Sequence, residues 1–340
     1  MFTETSDVPP PMQILKLSMA GWMAAAVSAA AELGVADHLA DGPRSVTDLA
    51  DALDADAPTL YRLLRACADF GLFREEEGRV FAATELGDAL RSDAPNSLRN
   101  FARWVGKPAD RWTWSGLADT VRTGEPAFAK VHGTEIWDHF NNHPDTASVF
   151  DDAMTELSRQ VIGQAVAAYD FTSFGRLVDA GGGHGTLLSQ ILGANPGIRG
   201  VLFDRPEVIE GAGSVFDAAG VRDRVEMESG DFFAAVPDGA DAYVLSNIIH
   251  DWDDAPSVQI LANIERAMAP GGRVLLIEAV LPDGAEPAPA IKLMDLDMLV
   301  LSGGHQRSAA QFDALFQQAG LKLSRVVDGG LCSVVEAVRA

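Results

Sequence analysis

The string Ser246-Asn247-Ile248-Ile249-His250-Asp251-Trp252-Asp253-Asp254 closes an apolar run that begins near residue 241. A histidine crowded by acids and aromatics suits a core poorly. An imidazole with an ordinary pKa near 6.5 takes a proton from a hydroxyl at neutral pH. The next apolar run, Leu275-Leu276-Ile277-Glu278, also ends in an acid. On a neighbouring strand of the same rim, Glu278 would orient His250 and stabilise the imidazolium as it forms. The pair predicts proton abstraction.

A second set of residues points to what is held beside that base. Leu177-Val178-Asp179-Ala180 runs into Gly181, Gly182, Gly183 and Gly185, and Leu187 to Leu192 follows at helical spacing. Strand, glycine turn and helix bring a backbone close to a cofactor and aim a helix N-terminus at it. The dinucleotide fingerprint needs glycines at 181, 183 and 186, but position 186 is Thr. The pattern D-x-G-x-G-x-G, headed by Asp179, suits a compact ligand with an amino-acid portion. An acid there takes up the ammonium of S-adenosylmethionine and would repel a pyrophosphate. Asp204 ends the next run, Val201-Leu202-Phe203, where a doubly wound sheet hydrogen-bonds ribose hydroxyls. That position fits adenosylmethionine and NAD equally. Gly230-Asp231-Phe232-Phe233 ends a third run, with Asp231 placed to accept adenine amino hydrogens and Phe232 to stack on the ring.

These strands must come from a parallel sheet. Runs at 177–180, 200–204, 224–228, 241–247 and 273–280 alternate with helical segments, and two strand-like runs near 321–327 and 333–338 predict an antiparallel pair at the edge. Upstream, Met12 to about Ala102 reads as short helices followed by a hairpin at 71–81, a winged helix. Its would-be recognition helix carries Arg62 and Arg65 among Asp51, Asp54, Asp56 and Asp69, and the wing has three successive glutamates. Phosphate would be repelled, so the domain reads as a packing and dimerisation device and not as a DNA reader. Four of the six tryptophans, Trp104, Trp112, Trp114 and Trp137, fall in the helical stretch 101–170, as core or as the wall of an aromatic pocket.

With 340 residues, 47% hydrophobic and 22% charged, the chain has ample material for a soluble core. A formal charge of -23 argues against nucleic acid or an anionic membrane as partner. Two cysteines, Cys67 and Cys332, offer no disulfide framework, which suits a cytoplasmic protein. His132, His139 and His143 lie close in sequence, but Asn141-Asn142 and Pro144 break the helix that would align them, and no metal site is expected. Residues 1–11 read as a disordered tail, and acids at Glu4 and Asp7 make a poor signal peptide. The uncharged run Leu17 to Ala31 is too short for a bilayer and reads as a buried helix, packed against a second copy of the chain.

In their order, Asp179-Ala-Gly-Gly-Gly-His-Gly-Thr186, Leu202-Phe-Asp-Arg-Pro-Glu-Val208, Gly230-Asp-Phe-Phe233, His250-Asp-Trp-Asp-Asp254, Ile277-Glu-Ala-Val-Leu-Pro282 and Gly303-Gly-His-Gln-Arg-Ser308 resemble the S-adenosylmethionine-dependent small-molecule O-methyltransferases. That family includes plant caffeate and flavonoid enzymes, acetylserotonin methyltransferase and bacterial polyketide-tailoring enzymes, and the resemblance spans about residues 12–338. It implies a Rossmann-like class I methyltransferase domain with a seven-stranded, mostly parallel sheet at 101–340, preceded by a winged-helix dimerisation domain at 1–100, and a homodimer. It places the methionine part of the cofactor on Asp179, Gly181 and Gly183, ribose on Asp204, and adenine on Asp231 and Phe232. It makes His250 the general base assisted by Glu278, and puts Met154, Met294 and Asp251 near an aromatic acceptor. Two positions depart from the family pattern. Gln306 stands where a glutamate often partners the histidine; it can still orient an imidazole but cannot offset its charge. Ser246 stands where some members carry a lysine near the cofactor. The implied reaction is methyl transfer to a phenolic hydroxyl of an aromatic natural product. Non-methylating chemistry on the same fold, such as hydroxylation, and N-methylation are the alternatives.

Overall fold

A computed structural model describes residues 8–340 and divides them into two compact units. Residues 8–115 with Val131–Leu157 form the first, and Gly116–Lys130 with Ser158–Ala340 the second. The first unit therefore takes in much of the helical stretch beyond residue 100. Residues 1–7, including Glu4 and Asp7, lie outside the described residues.

The first unit opens on helix α1 (Pro10–Leu33). The expected tail ends sooner than its prolines suggest, because a proline's fixed φ suits the first helical turn. Gly34, at φ 69°, ends the helix in the left-handed conformation. At 24 residues the helix passes through Lys16 and Glu32 and is long and apolar enough to cross a membrane by length and composition. That corrects the length inferred from the uncharged run alone. It is also not buried in the single chain: only Ser28, Ala30 and Ala31 are, while Trp22 is 73% exposed.

The winged helix forms as expected. Ser45 caps α2 (Val46–Leu53) by accepting from the Asp48 amide at 3.1 Å, and Asp56 caps α3 (Ala57–Asp69) by accepting from Thr59 at 3.0 Å. Strands β2 (Phe73–Glu76) and β3 (Val80–Ala83) pair antiparallel, and β1 (Arg44–Ser45) joins β3. Leu49, Leu60, Leu64, Phe73 and Phe81 form the core. Farther on, the buried Trp104 of α4 (Arg99–Gly106) meets the rings of Phe140 and Phe150 at 5.9 and 5.0 Å, whereas Trp112 and Trp137 are exposed. His139 and His143 stack at 4.0 Å across the break between α5 (Ile136–Asn142) and α6 (Pro144–Ala168). Among the described residues no group of histidines, cysteines and acids has the arrangement of a metal site.

The second unit is built on the seven-stranded sheet. Strands β4 (Arg176–Ala180), β5 (Arg199–Asp204), β6 (Val225–Ser229), β7 (Ala242–Ser246), β8 (Arg273–Glu278), β11 (Leu321–Gly329) and β12 (Cys332–Arg339) lie in the order β11-β12-β8-β7-β4-β5-β6. Five are parallel; β12 is antiparallel to β8 and β11 to β12. Two short strands, β9 (Val280–Leu281) and β10 (Arg307–Ser308), pair parallel beside it. Helix α7 (Pro289–Leu301) separates them in the chain. Val178, Val201, Tyr243, Leu245, Val274 and Leu276 pack against Ile260, Ile264, Phe312 and Phe316 on one face. Strand order reverses between β4 and β7, the point where open α/β sheets bind ligands beyond the strands' carboxyl ends.

Candidate active site

The turn after β4 sits at that reversal. Gly181 and Gly183 adopt φ of 74° and 58°, a region closed to most side chains. A Cβ on Gly181 would lie 2.7 Å from Ile248 Cδ1, and one on Gly182 would lie 2.6 Å from Asp179 Cγ. The backbone thus passes directly over the acid that heads the turn.

Asp179 is 1% exposed, and neither carboxylate oxygen has a hydrogen-bond partner among the described residues. Burial, reinforced by the neighbouring Asp204 carboxylate, pushes its pKa up to about 7. Asp179 pairs with Val244, so Ser246, two residues farther along β7, projects from the same face of the sheet. The Ser246 hydroxyl is also without a partner. Buried polar groups are satisfied in the great majority of cases, and each exception calls for an explanation. Here both fit a polar, cationic ligand.

Asp204 is partly committed to the turn: its Oδ2 accepts from the Gly183 amide and its Oδ1 from the Arg205 amide, at 2.9 and 2.7 Å. A carboxylate has lone pairs left for a diol. Asp231 is exposed and accepts from the Phe233 amide at 2.8 Å. Phe232 is half-buried, with its ring edge 3.4 Å from where a Gly181 Cβ would stand. The structure therefore brings Asp179, Gly181, Gly183, Asp204, Phe232 and Ser246 to one rim.

His250 lies on the short turn after β7, which Asn247 starts with a left-handed φ of 54°. Its Nδ1 is 2.7 Å from Glu278 Oε2, and its Nε2 is 3.6 Å from Asp251 Oδ1. Glu278, wholly buried, also accepts from the Ile248 and Ile249 amides through Oε1, at 3.1 and 2.9 Å. One carboxylate thus fixes both the backbone and the ring of the turn. Burial opposes charge on His250, but the Glu278 and Asp251 carboxylates more than offset it and raise its pKa to about 9. That differs from the ordinary value expected from sequence. The cause is a buried acid at hydrogen-bond distance, which no residue spacing displays. Burial likewise raises Asp251 to about 6, with His250 opposing the rise.

Gln306 is 2% exposed, its amide accepts from and donates to nothing among the described residues, and only its backbone N–H is engaged, by Asp295 at 2.8 Å. It makes no hydrogen bond to His250, so its orienting role does not appear in this geometry. Met294 is half-buried on α7 in the second unit, and Met154 is half-buried on α6 in the first. The sequence assigns no role to Arg307. It is 1% exposed and grips the His250 turn from below. Its only signal in the chain is its place after the Gly-Gly-x-Gln string.

Comparison with known proteins identifies the fold and the family. The O-methyltransferase domain family matches residues 114–322, and the O-methyltransferase dimerisation domain matches residues 15–93. A phenazine O-methyltransferase of Lysobacter antibioticus is 42% identical, covering 95% of each chain. An O-methyltransferase from neocarzinostatin biosynthesis, solved with S-adenosylmethionine and 2-hydroxy-5-methyl naphthoic acid, superposes with a TM-score of 0.79 at 36% identity over 94% of this chain and 96% of that one. Aclacinomycin 10-hydroxylase of Streptomyces purpurascens is 34% identical over 88% of this chain and 81% of its own.

Proposed function

This chain belongs to the O-methyltransferase family, and from that premise we propose that it moves a methyl group from S-adenosylmethionine to a phenolic hydroxyl of an aromatic natural product, with His250 as general base. The contact between His250 Nδ1 and Glu278 Oε2 at 2.7 Å carries the reading.

The rim fits the donor. Asp179, Gly181 and Gly183 would hold its amino-acid end, Asp204 its ribose, and Asp231 with Phe232 its adenine. When bound, the donor supplies a methyl carbon on a cationic sulfur, open to displacement by an oxygen nucleophile. The remaining work belongs to the chain. Glu278 anchors Nδ1, which leaves Nε2 to meet the acceptor's proton. A base near 9 is closely matched to a phenol near 10 but far from a hydroxyl as weakly acidic as water, about 15.7. The matched case lets the proton pass to Nε2 with little uphill cost, and this supports a phenolic acceptor. Holding nucleophile and donor in line supplies most of the acceleration, through effective molarities of about 10⁵ M or more. The exposed apolar residues of α1, within the matched dimerisation domain, support a homodimer closed by a second copy of that helix, and the formal charge of -23 weighs against a nucleic-acid or anionic-membrane partner.

Incubation with S-adenosylmethionine and a phenol panel, read as S-adenosylhomocysteine by mass spectrometry, tests the reading. His250→Ala is expected to lose about 10²–10⁴ in kcat on weakly acidic hydroxyls and much less on acidic phenols. Equal turnover of both proteins on every acceptor removes His250 from the mechanism. Because a base must be neutral to act, kcat/KM should rise with pH toward about 9. The hydroxylase relative, together with Gln306 standing where the family pattern often has a glutamate, favours a second reading, chemistry without methyl transfer. Absence of S-adenosylhomocysteine across the panel would select it.

A further inference from the structure

The His250 turn is gripped from two sides, and Glu278 accounts for only one. The other is a strap formed by residues 304–307. The His305 amide donates to the His250 carbonyl at 2.9 Å, and Gly304 lies so close that a Cβ would collide with the same oxygen. Arg307 then forks across the turn. Its Nη1 donates to the Ile249 carbonyl at 2.9 Å, and its Nη2 donates to the Trp252 carbonyl at 2.8 Å and to Asp254 Oδ1 at 2.9 Å. The two carbonyls flank the base in sequence. Its backbone is registered opposite Val280 in the β9–β10 pair, two residues past Glu278. Glu278 ends β8 and Arg307 pairs with β9, which begins two residues later, so both supports of the imidazole are tied to one short stretch of chain.

Burying a guanidinium to the point of 1% exposure is costly unless its donors are used. The Asp254 side chain is 66% exposed, so that ion pair is a weak reason for the burial. The planar fork across two carbonyls is the stronger one, and a lysine cannot reproduce it. We propose that Arg307 is the positioning residue of the base, fixing the turn that presents His250, an inference that rests on His250 acting as proposed above. It has two separable parts. The fork sets where the ring points, and the charge disfavours the imidazolium. The other ionisable groups facing the ring are Glu278 at Nδ1 and Asp251 at Nε2. His305 follows on the strap, 3.7 Å from Asp254.

The test compares Arg307→Lys and Arg307→Met in the full-length enzyme saturated with S-adenosylhomocysteine. The His250 ring is titrated by NMR, assigned by its loss in His250→Ala, and turnover is measured on whichever phenol the wild type methylates fastest. Arg307→Lys keeps the charge and loses the fork, so the titration should stay near wild type while kcat falls about tenfold or more. Arg307→Met loses both, so the titration should also move to higher pH. Wild-type kcat in Arg307→Lys overturns the proposal even if Arg307→Met fails to fold, and so does an unmoved titration in a folded Arg307→Met. Should His250→Ala retain full turnover, the base assignment fails instead, while the titrations still report whether the guanidinium acts on the ring.

Discussion

Helix α1 and the rim of the sheet depart from ordinary folded-protein anatomy in opposite senses. Along α1, Ile14, Leu17 and Trp22 are 63%, 62% and 73% exposed, so apolar surface faces solvent. On the rim, Asp179, Ser246 and Gln306 hold polar atoms away from solvent with no hydrogen-bond partner among the described residues. Contiguous exposed apolar surface marks a protein interface. Buried unsatisfied polar groups mark a place where something polar is missing. The first region calls for a partner that removes water, and the second for one that supplies hydrogen bonds and charge. The two sites of an assembly can thus be told apart by the sign of what each lacks.

Removing the charge from the rim should have the largest effect. Asp179→Asn is expected to weaken S-adenosylmethionine binding by about 2–5 kcal/mol, roughly thirtyfold or more by calorimetry. The same change should stabilise the ligand-free protein. With its folded pKa raised to about 7, Asp179 binds a proton in the native state that it would lose unfolded. Its contribution is favourable at low pH and is lost as pH rises from about 4 to 7. Melting scans of the ligand-free protein should therefore show wild type losing more stability than Asp179→Asn between pH 5 and 7.5. An equal pH dependence would mean the carboxyl is not buried as described.

A charge on the apolar face should act next. Trp22→Asp is expected to weaken self-association by about 1.5–3 kcal/mol while leaving the fold intact, since the ring packs mainly outward in the single chain. Light scattering across a dilution series measures it, and an unchanged mass at every concentration would show that this face is not the one covered. Least of all, Ser45→Ala should cost about 1 kcal/mol by removing the cap on α2, with no effect on donor binding. A change of that size in an ordinary helix sets the scale against which the two unusual regions stand out.

Much of this was legible along the chain because it depends on local rules. Alternating apolar runs and helical stretches announce a parallel sheet, and the two late runs its antiparallel edge. The acid and glycines at 179–185 announce a ligand-binding turn, because only glycine enters the positive-φ conformations it needs. Other features were not. The Leu17 to Ala31 run marked an apolar helix, but its 24-residue length depended on flanking residues that carry charge and stay helical. Gln306 stood in the right string, yet nothing in that string shows that its amide would meet no partner at His250. Arg307 was part of the same string, and its burial became visible only with the turn it grips.

By itself the chain determined the strand order's raw material, the glycine turn and the presence of a histidine and an acid at successive strand ends, since propensity and periodicity act over a few residues. Only the folded protein decided that Glu278 meets His250 at 2.7 Å and raises its affinity for a proton, and that Arg307 closes the turn from the far side. The reason is physical: a proton affinity is set by burial and by charges within a few ångströms, and residues 28 and 57 positions away along the chain become such neighbours only through the pairing of distant strands.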